Sequence, residues 1–118
     1  MKRCIAVDFD GTLCENKYPK IGAANTALID QLKEEKKNGT ALILWTCRQG
    51  KQLEAAVSWC KKQGLTFNTV NQNLKERIRA FHGDTRKISA DVYVDDRAAA
   101  FSFGQTLKMG GKDNASED

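Results

Sequence analysis

The stretch that decides the fold is residues 4–12, Cys-Ile-Ala-Val-Asp-Phe-Asp-Gly-Thr. Its first part, Cys4–Val7, is a short apolar run, which is typical of a strand buried on both faces of a parallel sheet. The run ends abruptly at Asp8 and Asp10, and a glycine and a threonine follow. We therefore predict a buried strand that opens at its carboxyl end into a polar loop.

The same strand-then-helix pattern recurs along the chain. Apolar residues at helical spacing predict helices over 24–38, from 53 up to the glycine at 64, and over 74–81. Apolar runs predict further strands over 41–45, 65–70 and 91–94. Gly39 and Gly64 follow lysine-rich last turns and are expected to end the first two helices. This alternation predicts an α/β fold, a three-layer Rossmann-like parallel sheet with helices on both faces.

The length leaves room for one domain. A chain of 118 residues buries roughly 65% of its unfolded surface, which supports one modest core. Residues 1–109 are predicted to form the domain, and the polar segment 110–118 a disordered tail. No insertion between the strands is long enough for a separate cap domain over a ligand site.

The composition excludes several classes of protein. A net charge of +4 without a basic block mildly favours an anionic ligand and argues against nucleic-acid binding. The apolar runs are far shorter than the ~20 residues of a membrane span, so we expect no membrane association. The chain lacks a signal-peptide pattern and is expected to be cytoplasmic, where its four cysteines stay as free thiols.

Acidic side chains follow two of the predicted strands. Asp8 and Asp10 follow the first strand, and Asp95 and Asp96 follow the last. The carboxyl ends of parallel strands meet at one edge of the sheet, where ligands bind. Each aspartate alone is ordinary turn chemistry, but four gathered carboxylates repel one another unless a cation neutralises them. Hard oxygen ligands of this kind predict Mg²⁺.

These residues resemble the haloacid dehalogenase-like (HAD) phosphohydrolase superfamily. That family carries Asp-x-Asp-x-Thr after its first strand, a Thr or Ser after its second, a Lys, and an acidic pair after its fourth strand. The chain presents DFDGT at 8–12, LWT ending at Thr46, and VYVDD ending at Asp96, in family order. The first and last motifs are specific, whereas a lone Thr or Lys is not.

The resemblance implies a set of roles. It makes Asp8 the nucleophile and Asp10 the residue that protonates the leaving oxygen and then activates water. Mg²⁺ would be held by Asp8, by the backbone carbonyl of Asp10 and by Asp95, with Asp96 beside them. Thr46 and a lysine would stabilise charge on the transferred phosphoryl group.

The identity of that lysine stays open between two residues. Lys87 precedes an Ala-Asp-x-x-x-Asp-Asp stretch similar to that of the 5'(3')-deoxyribonucleotidases, and we prefer it. Lys75, on the helix after the third strand, is the alternative.

Further residues are candidates for binding substrate. Arg48 follows Thr46 and could hold a phosphate bidentately, or it could be a solvated arginine. Gly11 would allow a tight turn and Thr12 would hold it, a structural role as credible as a catalytic one. Asn71, with Asn73 beside it, could bind substrate or serve the turn after the third strand.

The predicted function is Mg²⁺-dependent hydrolysis of a phosphomonoester through an aspartyl-phosphate on Asp8. The substrate would be a phosphorylated small molecule, with nucleotides or sugar phosphates slightly favoured, or a phosphorylated macromolecule. Without a cap, only the loop 13–21 or a second subunit of a homo-oligomer could cover the site. The alternatives are a catalytically silent binding module and a phosphotransferase to an acceptor other than water.

Overall fold

The computed structural model describes residues 1–96. Expectations that concern residues 97–118, including the predicted tail, lie outside this range. The strands are β1 (Cys4–Val7), β2 (Cys14–Lys17), β3 (Lys20–Ala24), β4 (Ala41–Leu44), β5 (Thr69–Val70) and β6 (Val92–Val94). The helices are α1 (Thr26–Lys37), α2 (Gly50–Lys62) and α3 (Lys75–Phe81). Within residues 1–96, no helix is long and apolar enough to cross a membrane.

Four of the strands form the predicted parallel sheet. Its order is β5-β4-β1-β6, so that β1 lies between β4 and β6. Cys4 of β1 pairs with Ala41 of β4, and Ile5 pairs with Val92 of β6. The first strand is therefore flanked by neighbours on both sides, which explains why all four of its residues are buried.

The sheet separates two apolar layers because successive side chains point to opposite faces. One layer joins Ile5 and Val7 to α1 and α2, through residues that include Leu28, Leu32 and Cys60. The opposite layer joins Cys4, Ala6, Ala41 and Ile43 to Leu74 and Ile88. The predicted three-layer α/β architecture, with helices on both faces, is confirmed.

The helix ends follow their local signals. Asn25 caps α1, since its side-chain oxygen accepts the N–H of Leu28 at 3.4 Å. Gly39 and Gly64 adopt the left-handed conformation, with φ of +97° and +84°, beyond the last turns of α1 and α2. Both predicted glycine stops are confirmed.

The segment predicted as a loop over 13–21 is instead the start of a hairpin. Strands β2 and β3 pair antiparallel, and Asn16 lies opposite Ile21. Most of the hairpin residues are exposed, and they show no clear apolar alternation. The period-two signal of a half-buried strand is therefore absent, which is why the sequence pattern did not indicate these strands.

Two further predictions need correction. The third strand of the sheet covers only residues 69–70 of the predicted 65–70, because the side chain of Asn68 accepts the N–H of Leu42 at 2.9 Å and replaces a backbone contact. Trp45, which the apolar run 41–45 places at the end of a predicted buried strand, is 37% exposed. It lies just beyond β4, and its ring packs against Tyr93 at 5.6 Å between centroids.

Candidate functional site

Three strands of the sheet end side by side at its carboxyl edge. The N–H of Asp8 donates to the carbonyl of Val94 at 2.9 Å, and the N–H of Trp45 donates to the carbonyl of Val7 at 2.9 Å. These bonds fix the residues after β1, β4 and β6 next to one another. The loops that carry the predicted motifs therefore open on the same edge, as the topology of an open α/β sheet requires.

A cleft of about 380 Å³ lies at this edge. It is lined by residues of three strand ends and of the hairpin, namely Asp8, Asp10, Asn16, Thr46, Cys47, Asp95 and Asp96. Carboxylate oxygens of Asp8, Asp95 and Asp96 lie within 4.8 Å of one another. The cleft therefore brings together all four predicted aspartates and the predicted threonine.

The Asp8 carboxyl lies in an unfavourable environment for its negative charge. Burial is the largest cause, and it raises the pKa of Asp8 to about 7. The nearby charges of Asp95 and Asp96 raise the pKa further, while a hydrogen bond from the backbone of Phe9 lowers it. A hard divalent cation would relieve this repulsion, and three carboxylates provide the oxygen donors that Mg²⁺ prefers. The donor set fits the predicted ion.

Gly11 allows the acidic side chains to approach the loop after β1. Its φ is +83°, a conformation that favours glycine, and a Cβ at this position would lie 2.3 Å from an oxygen of Asp96. The predicted tight turn at Gly11 is confirmed. The turn also gives the Asp96 carboxylate the space it occupies beside the backbone, so Gly11 shapes the acidic cluster rather than offering a side chain to substrate.

Arg48 forms a buried ion pair with Asp10. Its Nε donates to Oδ2 and its Nη2 donates to Oδ1, each at 2.8 Å, and its side chain is 1% exposed. These hydrogen bonds raise the pKa of the guanidinium. Arg48 is therefore not solvated, which was one of the two alternatives predicted from the sequence. Its guanidinium binds a carboxylate bidentately, but that carboxylate belongs to Asp10 of the same chain.

The remaining donors of Arg48 reach the backbone. Nη2 also donates to the carbonyl of Lys20 at 3.0 Å, and Nη1 donates to the carbonyls of Pro19 at 3.2 Å and Gln52 at 3.4 Å. The five N–H groups of the guanidinium thus all have acceptors. One side chain ties the loop after β1 to the hairpin turn and to the first turn of α2. For Arg48 to bind substrate, as predicted, some of these bonds would have to break.

Thr46 is held in place by its neighbours. Its N–H donates to Oδ1 of Asn71 at 2.8 Å, and its Oγ1 accepts the N–H of Arg48 at 3.2 Å. The hydroxyl hydrogen of Thr46 remains able to donate to a ligand in the cleft. The carboxamide oxygen of Asn71, predicted to bind substrate, is thus used to position Thr46.

Two other predicted polar residues lie outside the cleft. Thr12 is 0% exposed, so its side chain does not reach substrate. Its hydroxyl has no hydrogen-bond partner among the described residues, and its place in the loop after β1 is fixed by its backbone, whose N–H donates to the carbonyl of Phe9 and whose carbonyl accepts from Asn25. Asn73 is 5% exposed, and its side chain contacts Asp84, Thr85 and Ser89. Asn73 thus holds loops together, which is the structural one of the alternatives that the sequence left open.

The two candidate lysines differ in their position relative to the cleft. Lys87 is exposed and does not line the cleft, but its Nζ lies 5.3 Å from the ring centre of Tyr93, which packs against Trp45 next to Thr46. Lys75 is the neighbour of Glu76, whose carboxylate accepts the N–H of Lys2. Because Lys2 precedes β1, this contact lies at the amino edge of the sheet, opposite the cleft. Neither lysine lines the cleft, so the preference for Lys87 over Lys75 stays a prediction.

Three cleft residues were missed as site residues by the sequence analysis. Asn16 and Tyr18 belong to the hairpin, and Cys47 follows Thr46. A second cleft of about 330 Å³ is lined by Asp10, Asn16, Tyr18, Cys47 and Arg48. Cys47 is exposed, whereas Cys4, Cys14 and Cys60 are buried, and burial raises their pKa values to about 11, 11 and 12. The loop 13–21 was predicted from the sequence as a possible cover over the site, but neither Asn16 nor Tyr18 was singled out within it.

No family model matches the chain, and no curated protein does. A solved structure of a conserved protein from Bacteroides thetaiotaomicron is similar to it, with 38% sequence identity and a TM-score of 0.74. The match covers 84% of this chain and 79% of that chain.

Proposed function

The chain belongs to the same family as the conserved Bacteroides thetaiotaomicron protein, and from the site that this fold builds we propose that it is a Mg²⁺-dependent phosphohydrolase of the HAD type. The single observation that carries the proposal is the convergence of Asp8, Asp95 and Asp96 within 4.8 Å, at the carboxyl edge of a parallel sheet. Asp10 and Thr46 lie in the same cleft. Three carboxylates this close together provide the oxygen donors that Mg²⁺ prefers, and a bound cation would in turn attract an anionic substrate.

Asp8 is the proposed nucleophile. Its carboxylate oxygen would form a bond to phosphorus while the bond from phosphorus to the leaving oxygen breaks, which gives an aspartyl-phosphate. Mg²⁺ held by Asp8, Asp95 and Asp96 would offset the negative charge of the carboxylates and of the phosphoryl oxygens. Without a cation the site favours the protonated form of Asp8. A bound cation would favour the ionised form, which is the form that attacks phosphorus.

Asp10 is the proposed proton carrier. It would give a proton to the leaving oxygen and then take one from the water that hydrolyses the aspartyl-phosphate. Each of its oxygens accepts one hydrogen bond from Arg48, and each keeps a lone pair for a proton. Arg48 thus fixes the orientation of the carboxylate between the two half-reactions.

Thr46 and Lys87 are the proposed contacts to the phosphoryl oxygens. Thr46 lines the cleft, where its hydroxyl hydrogen can donate to a phosphoryl oxygen. The bond from its N–H to Asn71 keeps the residue in place. Lys87 is exposed beside Tyr93 and would reach the phosphate by extending its side chain along that ring. A hydrolase with this open site would act on a small phosphomonoester or on a phosphorylated macromolecule.

The test is hydrolysis of p-nitrophenyl phosphate with Mg²⁺, with and without excess EDTA. We expect turnover that EDTA abolishes and that Asp8→Asn lowers by ~10³-fold or more. Asp30→Asn, an exposed aspartate on α1, is the matched control and should keep full activity. Absence of turnover, or turnover undiminished in Asp8→Asn, would contradict the proposal.

A panel of phosphorylated metabolites, run beside a measurement of oligomeric state, would define the substrate. A homo-oligomer that is active on one nucleotide or sugar phosphate indicates a lid shared between subunits. A monomer that hydrolyses p-nitrophenyl phosphate but none of the panel indicates a macromolecular substrate. Product that forms only with an added alcohol or sugar identifies a phosphotransferase.

A further inference from the structure

We propose that the hairpin β2–β3 forms a subsite for the leaving group, and that this subsite selects phosphomonoesters of uncharged alcohols that carry a planar ring. The inference rests on the proposed phosphohydrolase function and names its substrate class. The residues that would form the subsite are Asn16 and Tyr18 of the hairpin, together with Cys47.

The subsite is continuous with the acidic cleft. The cleft around Asp8 and the cleft under the hairpin share Asp10, Asn16 and Cys47 among their lining residues. Their volumes, about 380 and 330 Å³, each lie at the lower end of the range of roughly 300–1,000 Å³ seen for small-molecule sites. A phosphoryl group at Asp8 would therefore place its leaving group in the space toward Tyr18.

Tyr18 is an anchored aromatic ring with one side open. The guanidinium carbon of Arg48 lies 5.0 Å from the ring centre of Tyr18 and 5.0 Å from that of Phe9. Phe9 is 0% exposed and Arg48 is 2% exposed, so this stack is fixed from below. Tyr18 itself is 57% exposed. An exposed ring whose position is held by a buried cation is a ready platform for stacking.

Asn16 supplies polar recognition next to that ring. Its Oδ1 accepts the N–H of Tyr18 at 3.2 Å, which fixes the carboxamide within the hairpin. With the oxygen oriented toward the Tyr18 N–H, the two N–H donors of the same carboxamide can bind a ligand. Donors beside an aromatic platform suit a planar ring that bears hydrogen-bond acceptors, such as a nucleobase.

The charge of the subsite selects against anionic leaving groups. Among the described residues that line it, Arg48 is the one cation, and all five of its N–H groups already have acceptors. Asp10 adds a negative charge. A second phosphate or a carboxylate on the leaving group would enter this space without a cation to offset its charge, at the cost of its hydration.

The test compares kcat/KM for four esters of aliphatic alcohols with Mg²⁺: uridine 5'-monophosphate, benzyl phosphate, glycerol 3-phosphate and phosphoglycolate. We expect the two ring-bearing esters to be preferred over glycerol 3-phosphate, and phosphoglycolate, whose leaving group is anionic, to be the poorest. If only uridine 5'-monophosphate is preferred, the polar contacts to the ring are required; if both are, stacking suffices. Preference for glycerol 3-phosphate or phosphoglycolate would overturn the proposal.

Variants then assign the preference to Tyr18. Tyr18→Leu keeps an apolar cover over Arg48 but removes the ring, and it should lower the ratio of kcat/KM for the ring-bearing to the acyclic ester by about tenfold. Tyr18→Phe should keep the ratio. Phe81→Ala, which removes a 53% exposed ring elsewhere, is the matched control and should not change it. An unchanged ratio in Tyr18→Leu would refute the role of Tyr18.

A binding measurement separates this proposal from the phosphohydrolase itself. Uridine, the leaving alcohol alone, is titrated into the chain while the amide chemical shifts of Asn16 and Tyr18 are followed by NMR. Saturable shifts at these residues, reduced in Tyr18→Leu, support the subsite even if no ester is hydrolysed. If the protein hydrolyses esters without a preference for rings, and uridine causes no such shifts, the phosphohydrolase proposal is supported and the subsite proposal is refuted.

Discussion

The carboxylate of Asp10 is bound by one edge of the Arg48 guanidinium, through Nε and Nη2, with two nitrogen-to-oxygen distances of 2.8 Å. Asp10 belongs to the loop after β1, and Arg48 belongs to the loop after β4. The pair therefore connects the two strand ends that carry the proposed proton carrier and the proposed phosphate contact. It also fixes the hairpin, since Arg48 donates to the carbonyls of Pro19 and Lys20.

Loss of this ion pair should destabilise the protein. Arg48→Ala leaves the half-buried Asp10 carboxylate and three carbonyls without their donor, and we expect the free energy of unfolding to fall by about 3 kcal/mol. Arg48→Lys keeps the positive charge but loses the bidentate geometry of the guanidinium, so it should retain only part of the stability that Arg48→Ala loses. Urea unfolding provides the measurement. Arg79→Ala, an exposed arginine on α3, is the control, and a change in Arg48→Ala within ~0.5 kcal/mol of wild type would show that the pair contributes nothing.

Gly11 should be required for cation binding as well as for stability. In Gly11→Ala the new methyl group would lie 2.3 Å from an Asp96 oxygen, so the carboxylate must move away from the cluster. We expect Mg²⁺ affinity, measured by calorimetry, to fall about tenfold, within the range seen for changes around metal ligands.

Gly39→Ala is the matched control for this experiment. Gly39 has a similar φ of +97°, but a Cβ there would meet nothing within 4 Å. Both variants should lose roughly 1 kcal/mol of stability through backbone strain, while Gly39→Ala binds Mg²⁺ like the wild type. Equal Mg²⁺ affinities in the two variants would show that Asp96 does not shape the site.

The pH dependence of stability should identify Asp8. Its folded pKa is raised from 3.8 to about 7, so between these values the folded metal-free protein binds more protons than the unfolded chain. Stability therefore falls as the pH rises through this window. Thermal unfolding of the EDTA-treated protein should show this fall, and Asp8→Asn should flatten it.

Mg²⁺ should act on the same group. Because the ion binds the ionised carboxylate, its stabilisation should be larger at pH 8 than at pH 5.5. Asp30→Asn, on the surface of α1, should keep the wild-type pH profile. A profile in Asp8→Asn identical to that of the wild type would assign the titration to another group.

Asn25 should contribute more to the stability of the protein than a helix cap usually does. Its Oδ1 accepts the N–H of Leu28, and its Nδ2 donates to the carbonyl of Thr12 at 3.1 Å, so it joins α1 to the loop after β1. Asn25→Ala should cost about 2 kcal/mol, the upper end of the range for caps. Gln49→Ala is the control, since Gln49 occupies the same position before α2 without a side-chain cap bond. Similar unfolding midpoints for the two variants would contradict this assignment.

The elements of the sheet could largely be predicted from the sequence. Strand β1 begins and ends at the predicted residues, and the helices α1, α2 and α3 lie within a few residues of their predicted limits. These elements carry a local signal, because a buried strand needs a continuous apolar run and a packed helix needs an apolar stripe. The acidic residues could be placed at one edge because parallel strands end together.

The organisation of the cleft could not be predicted in this way. The hairpin residues are mostly exposed, and the bond between Arg48 and Asp10 joins residues 38 positions apart. From the sequence, Arg48 was expected either to bind substrate or to be solvated. Tyr18 was not named as a site residue, although it belongs to the loop 13–21. Such contacts depend on which loops meet, and no local periodicity encodes that.

The sequence by itself therefore determined the α/β sheet and the presence of Asp8, Asp10, Asp95 and Asp96 at its carboxyl edge. Only the tertiary structure decided that three of these carboxylates form one cluster while Asp10 is held by Arg48. The physical reason is that burial and repeat patterns act along the chain, whereas charge pairing depends on distances across the folded sheet edge. Those distances exist only after the loops have packed.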